Sequence, residues 1–398
     1  MQEEYITLQV NGPDRAGIFS DLCRYLSDHQ VNILDVAQNV LRGYLSITFL
    51  LDIAEASLNR DRLELDLKRL CRQFGVNANV YDYIEGQRPR IKNLYIFAMM
   101  GNDQKGILAA ISEILASYNV NIETINLQVH NNWIYNQLFL DLSNTANIEE
   151  LRNDLRLSCE QFNLSMVLQQ ETIYRKNKKL IAFDMDSTLV QGETIVEIAK
   201  HANKEEEMNE ATTYAMEHDV DFEDSLRERA KLLKGIAIST IYDIADDLDI
   251  TPGAEELIHH LKQMGWKIAV ISSGFSIFTE AIKEKLGLDY AFGNKLEILE
   301  GKLTGKVIGE IIDGPGKWEI VTELAEQLEI TPEEVVTVGD GSNDIFMLER
   351  SGLGIGLNSK EIASEVADGR VTVNDVSMIL LMLGLSDTEI DQIIREKT

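Results

Sequence analysis

Positive charge is scarce in this chain. Across 398 residues, 37 Lys plus Arg face 66 Asp plus Glu, a formal net charge of −29. Such a surface repels nucleic-acid phosphates and anionic membranes, so neither is expected as a partner. Cysteine is scarce too: Cys23, Cys71 and Cys159 lie far apart, are odd in number and form no C-x-x-C pair. That argues against a disulfide framework or a thiolate zinc site and fits a reducing, cytoplasmic setting. The six histidines, His29, His130, His201, His218, His259 and His260, show no ligand spacing. Long apolar runs are missing as well. "MILLMLGL" at 378–385 is far too short to span a bilayer, and "MQEEYITLQV" at the start lacks the pattern of a signal peptide. The expectation is an acidic, soluble globular chain, long enough for two or three domains. In such a chain an anionic substrate needs a local cationic pocket or a metal.

What is present first is a repeat. "NGPDRAGIFSDLCRYLSDHQVNI" (11–33) aligns with "MGNDQKGILAAISEILASYNVNI" (100–122) at a constant offset of 89, which is 100 less 11 and 122 less 33. Each copy reads as an alternating strand, then a turn with Asp14 and Gly17 or Asp103 and Gly106. A helix follows with Ile18, Leu22 and Leu26, or Ile107, Ile111 and Leu115, at helical spacing. Further strand, a second helix (56–73, 147–162) and a short last strand complete βαββαβ, a ferredoxin-like unit, twice over. Both units resemble the ACT domain, a small amino-acid-binding regulatory module. The resemblance implies a possible effector such as serine at the D-x-x-G turns. The residues leave open whether the units bind a ligand or only assemble. The units are placed at 1–86 and 90–172. "YRKNKKL" (174–180) reads as an exposed basic linker.

From 178 to 398 strands and helices alternate: "LIAF", "KIAVIS", "VVTVGD" and "GIGL" with helices between. This predicts a doubly wound, mostly parallel α/β sheet covered on both faces. Residues 192–265 carry no strand signal and read as a helical cap insertion. "LEILEGKLTGKVIGEII" (296–312) reads as a β-hairpin at a sheet edge.

Ligands of such sheets bind beyond the carboxyl ends of the strands. Asp184 falls at the end of "LIAF", Ser272 and Ser273 at the end of "KIAVI", Asp340 at the end of "VVTVG". Lys317 opens a helix from which it reaches the same edge. Asp184 and Asp340 make a hard, oxygen-rich site that suits Mg²⁺. Asn343 and Asp344 begin the helix after Asp340 and point back towards it. Asp184 and Asp186, two positions apart, repel, and that repulsion is expected to favour a proton on Asp186.

"DMDST", "SS" after a strand, a downstream Lys and "GDGSND" resemble the four motifs of the haloacid dehalogenase superfamily. "DMDSTLVQGETI", "FEDSLRERAKLLKG", "VISSGF" and "VGDGSNDIFML" are similar to its phosphoserine phosphatase branch. The resemblance implies that Asp184 is a nucleophile and metal ligand. It gives Asp186 the role of general acid and base, touching the metal only through its carbonyl. Asp340 would complete the protein ligands, with Asp344 orienting a metal-bound water. Ser272, the Ser273 amide, Lys317 and Asn343 would hold phosphoryl oxygens. Glu193 would take the substrate ammonium, Arg229 its carboxylate, and Phe222 would cover it. Read singly, Glu193 could cap a helix, Arg229 could lie on a solvated face and Phe222 could be cap core. Ser273 stands where the family often has Gly. The implied activity is Mg²⁺-dependent hydrolysis of phosphoserine, the last step of serine biosynthesis, by a homo-oligomer of dimer size or larger. The rivals are a phosphatase or phosphotransferase acting on another small phosphorylated metabolite, and an amino-acid-sensing regulatory protein. The acid at 186, where P-type ATPases carry Thr or Ser, argues against a phosphorylated transporter.

Overall fold

The computed structural model describes residues 4–83, 92–130, 132–217 and 220–385. The chain divides into two units, Met1–Arg90 and Ile91–Thr398. The boundary expected at 86–90 lies outside the described residues. The first unit runs β1 (Tyr5–Pro13), α1 (Ile18–Asp28), β2 (Asn32–Leu41), β3 (Tyr44–Asp52), α2 (Arg60–Gln73), β4 (Asn77–Asp82). Its four strands pair in the order β2-β3-β1-β4, antiparallel throughout. Alternation along β1 sends Ile6, Leu8 and Val10 to one face, where the apolar stripes of α1 (Ile18, Leu22, Leu26) and α2 (Leu63, Leu67, Cys71) cover them.

The second unit opens with the same pattern: β5 (Leu94–Asn102), α3 (Ile107–Ser117), β6 (Asn121–His130), β7 (Trp133–Asp141), α4 (Ile148–Gln161), β8 (Ser165–Gln170). Gly17 and Gly106 hold the same left-handed position ahead of α1 and α3, φ 101° and 96°, a conformation that disfavours any side chain. The chain then continues as β9 (Leu180–Phe183), α5 (Thr194–His201), α6 (Glu205–Glu217), α7 (Phe222–Leu232), α8 (Ile238–Asp246) and α9 (Ala254–Gln263). Next come β10 (Lys267–Phe275), α10 (Ser276–Leu286), β11 (Tyr290–Leu299), β12 (Lys302–Ile308) and α11 (Gly314–Gln327). The last described elements are β13 (Val335–Gly339), α12 (Ile345–Arg350), β14 (Leu353–Leu357), α13 (Glu361–Val366) and β15 (Gly369–Val371), then a 3₁₀ turn over 376–382.

Strands β11, β10, β9, β13, β14 and β15 are parallel neighbours, and β12 closes one edge as the antiparallel arm of the expected hairpin. Every residue of β9, β13 and β14 is buried, as a sheet covered on both faces requires. Helix α11 covers one face with Val321, Leu324 and Ala325 over Leu180, Ala182 and Ile271.

Three findings depart from the sequence reading. The two sheets expected to be separate are one. Strand β8 pairs antiparallel with β15, Val167 opposite Gly369, so the second ferredoxin-like unit extends the parallel sheet to eleven strands. A three-residue edge strand such as β15 leaves backbone groups to be satisfied, and β8 satisfies them. The stretch 174–180 is not an exposed linker. Arg175 and Lys178 are buried, and the Lys178 ammonium donates to the carbonyls of Glu333 (2.5 Å) and Gly352 (2.7 Å). Finally, α9, the last helix of the 192–265 stretch, packs on β10 and the 376–382 turn, with Leu257, Ile258 and Leu261 in the core.

Candidate active site

Parallel strands end at one edge, and the side chains delivered there meet. Asp184 and Asp186 after β9, Ser272 and Ser273 on β10, and Asp340 and Asn343 after β13 line one cleft. Above them stand Glu193, Phe222 and Arg229 from the helical segment. The cleft has a cavity volume of about 100 Å³ below an open mouth. Lys317 and Asp344 are fully buried beneath it.

The floor is a charge network. The Lys317 ammonium donates to Asp184 Oδ1 (2.5 Å) and Asp344 Oδ1 (2.7 Å). Asp344 Oδ2 accepts the N–H groups of Asp340 (3.1 Å) and Gly341 (3.0 Å). A side chain at Gly339 would collide with the Asp344 carboxylate, its Cβ 2.4 Å from Cγ, so the approach needs glycine. Both Asp344 oxygens are therefore occupied, which makes it a positioning carboxylate. Three carboxylates against one ammonium leave the floor anionic. Burial pushes Asp184 well above the usual carboxylate range, against the pull of Lys317. Burial and then Asp344 push Asp340 up to about 6, with Lys360 pulling it back. Burial works against the Lys317 ammonium, yet Asp184 and Asp344 raise it above its ordinary value. Carboxylate oxygens of Asp184, Asp340 and Asp344 lie within 4.8 Å of one another. This all-oxygen, excess-negative group fits a hard divalent cation.

Asp186 has different surroundings. Its Oδ1 accepts the Thr194 N–H (2.9 Å), and its Oδ2 accepts the Thr194 hydroxyl (3.4 Å). Burial, then the Glu193 charge, push its carboxyl up to about 7, and the Thr194 bonds pull it down. Repulsion from Asp184 is thus not the main reason for a proton here, contrary to the sequence argument. Desolvation does most of it.

The cap residues each lose their bland reading in part. Glu193 occupies the N-cap of α5, yet its side chain makes no capping bond and its carboxylate lines the cleft. Arg229 on α7 is half-buried, with Nε donating to the Ser225 carbonyl (3.4 Å). Burial lowers its guanidinium, while Glu193 and Asp186 hold it up. Phe222 does both things: it packs against the core and lines the cleft. Ser272 Oγ accepts the Gly274 N–H (2.9 Å), and the Ser273 carbonyl accepts from Asn294 (2.9 Å). Asp14, Gly17, Asp103 and Gly106 are exposed and do not line the cleft.

Two polar residues of the site escaped the sequence reading. Thr194 sits one position past Glu193, inside the quoted stretch "DMDSTLVQGETI", where no role was assigned to it. Lys360 follows β14, a fourth strand end at the same edge. That strand was legible as "GIGL", but nothing in the sequence carried it to the cleft.

Comparison with known proteins follows the same division. The family model for haloacid dehalogenase-like hydrolases matches residues 178–352, and the ACT domain model matches 4–81 and 94–169. A phosphoserine phosphatase of Streptomyces coelicolor is 31% identical over 388 residues, covering 97% of this chain and 93% of its own. One from Archaeoglobus fulgidus is 40% identical over 320 residues, covering 80% and 92%. Among solved structures, a haloacid dehalogenase-family hydrolase of Salmonella enterica superposes with a TM-score of 0.62 at 26% identity, covering 73% of this chain and 99% of that one. A probable phosphoserine phosphatase of Vibrio cholerae gives 0.57 at 31% identity, covering 72% and 86%.

Proposed function

Because the chain belongs to the phosphoserine phosphatases, haloacid dehalogenase-like hydrolases here preceded by ACT domains, we propose that it converts O-phospho-L-serine to L-serine and phosphate through an aspartyl-phosphate on Asp184. The observation that carries this reading is the unequal treatment of two neighbouring carboxylates. Lys317 holds Asp184 at the floor, while Thr194 holds Asp186 in a pocket that keeps a proton near neutrality. An Asp184 oxygen attacks phosphorus as the bond to the serine oxygen breaks. Asp186 gives its proton to that oxygen. Asp186 then takes a proton from a water that attacks phosphorus, and Asp184 is released with free phosphate. Mg²⁺, held by Asp184 and Asp340 with the Asp186 carbonyl, would offset the charge between carboxylate and phosphoryl group.

Around the phosphoryl oxygens stand Ser272, the Ser273 amide, Asn343 and Lys317, whose ammonium has a third proton beyond the two it gives to Asp184 and Asp344. Glu193 would take the substrate ammonium, Arg229 the carboxylate, and Phe222 the methylene. Serine is the proposed effector of the ACT units, at the Asp14–Gly17 and Asp103–Gly106 turns. Homo-oligomers would form through their edge strands, where Val36 and Val40 on β2 and Ile125, Leu127 and Val129 on β6 are exposed. The reaction would be the last step of serine biosynthesis, in a cytoplasmic setting.

A phosphate-release assay tests the reading. L-Phosphoserine should turn over only with Mg²⁺, phosphoethanolamine should turn over at least tenfold more slowly for lack of an Arg229 partner, and Asp184→Asn should lose more than about 10³-fold. Near-normal turnover in Asp184→Asn would end the mechanism. Equal turnover of both substrates would transfer the activity to another phosphorylated metabolite.

A further inference from the structure

Lys360 is the cation of the site for which the mechanism has no use. It lines the cleft together with Asp340, Gly341 and Asn343 and the cap residues Glu193, Phe222 and Arg229. Unlike Lys317, it is exposed, and its ammonium makes no hydrogen bond or ion pair with any described residue. Its backbone is nevertheless fixed. The Lys360 N–H donates to the Asp340 carbonyl (2.9 Å), and the Asn358 N–H to Val371 (2.9 Å). Asn358 takes a left-handed φ of 44°, and the buried Ser359 hydroxyl bonds Ser364 (2.7 Å). Arg370 on β15 donates from Nη2 to the Ser359 carbonyl (3.4 Å) and from Nη1 to Glu160 on α4. A pinned backbone thus presents an exposed ammonium whose charge bears on Asp340 but which no described residue bonds.

The electrostatics give that ammonium a task. Four acids line the cleft, Asp184, Asp186, Glu193 and Asp340, against two cations, Arg229 and Lys360. The whole chain carries −29. A phosphomonoester dianion approaching this surface meets a repulsive field over about a Debye length, ~8–10 Å at physiological salt. Arg229 already answers to Glu193 and Asp186, and buried Lys317 gives two of its three protons to Asp184 and Asp344.

We propose that Lys360 is a further substrate-binding residue, which captures the phosphate dianion at the mouth of the cleft, and that Arg370 is the residue that positions it. This rests on the cleft being the phosphomonoester site proposed above. The second ACT-like unit takes part, because Glu160 holds the far side of Arg370.

The test uses the full chain, initial rates with L-phosphoserine and calorimetric binding of inorganic phosphate, each at about 20 mM and about 0.5 M salt. Lys360→Gln should lower kcat/KM roughly three- to ten-fold at low salt, through KM, and weaken phosphate binding by a similar factor. Lys360→Glu should lose more, Lys360→Arg should restore most of it, and the differences should shrink at high salt. Arg370→Gln should show the same KM-dominated loss, and the double variant should be no worse than Lys360→Gln alone. A Lys360→Gln enzyme with unchanged kcat/KM and phosphate affinity at low salt overturns the proposal. So does a loss that sits in kcat and ignores salt. Additive losses remove Arg370 from its role. If the wild-type chain binds phosphate but does not hydrolyse L-phosphoserine, the functional reading fails, while the phosphate arm still decides Lys360.

Discussion

Thr194 and Asp186 stand eight residues apart, and the two bonds between them oppose burial in setting the proton affinity of the Asp186 carboxyl. Burial favours the protonated carboxyl, and the Thr194 bonds favour the ionised one, leaving a balance at about 7. In the proposed mechanism the leaving oxygen takes that proton, so kcat/KM should fall as pH rises through that value. Removing the hydroxyl in Thr194→Val leaves burial less opposed and raises Asp186 further. The alkaline limb of the pH–rate profile should then move upward, and activity above pH ~8, relative to its own plateau, should rise roughly two- to five-fold. A profile identical to wild type would mean that the hydroxyl bond has no part in tuning the acid. Both aspartates were legible as a spaced pair. Their separate environments were not, because burial and the Thr194 contact depend on how residues 187–194 fold back.

At the scale of elements, the cap rests on the β11–β12 hairpin. Gly235 donates to Leu303 (2.8 Å), Leu303 to Ile236 (2.9 Å) and Ile238 to Gly301 (2.9 Å), so the hairpin is stitched to the segment between α7 and α8. Arg227 on α7 donates to the Val307 carbonyl (3.1 Å). Gly305 lies close against the end of α7 and the turn after it. A Cβ there would lie 3.2 Å from Lys231 Cα and 3.3 Å from the Ala230 carbonyl, at a φ of 81°. Gly305→Ala should therefore strain the hairpin by roughly 1–3 kcal/mol and push α7, with Arg229 and Phe222, off its seat. KM for phosphoserine should rise several-fold, more than kcat falls. Gly301→Ala provides the control, since its φ of 75° brings strain but its Cβ meets open space. It should lower Tm and leave KM unchanged. Equal KM values in the two variants would show that α7 does not depend on the contact. The hairpin was readable from its alternation around Gly301, whereas its place beneath the cap was not, because no local pattern says which distant helix an edge hairpin meets.

For the whole molecule, the two ferredoxin-like units are alike in sequence and unlike in attachment. The first has its own core, Ile6 to Ala78, inside the unit Met1–Arg90. The second shares the catalytic core. Ala98, Met100, Tyr135 and Val167 pack in one cluster with Val336, Leu357 and Leu381, and Arg152 bonds Asp368 (3.0 Å) across the joint. Gln169 donates to the Met382 carbonyl (3.0 Å). Residues 91–398 alone should therefore fold, hydrolyse phosphoserine and melt cooperatively. Residues 176–398, which bare that apolar surface and the β15 edge, should lose several degrees of Tm or come out insoluble. Calorimetry of the two truncations decides it. Equal melting of both would make β8 dispensable.

The repeat, the alternation of strands and helices and the two acidic motifs were local patterns, and local pattern is what a sequence can determine alone; the cap residues were legible only through the family resemblance. Local pattern set the duplicated βαββαβ units, the parallel sheet and the set of residues at its carboxyl edge. Tertiary structure decided the rest. The joining of two sheets at β8 and β15, the burial of Arg175 and Lys178, the Thr194 hold on Asp186 and the arrival of Lys360 at the mouth each depend on contacts between segments distant in the chain or folded back on themselves. Charge, burial and unpaired strand edges settle such contacts only when the whole chain has closed, and no spacing along the sequence records them.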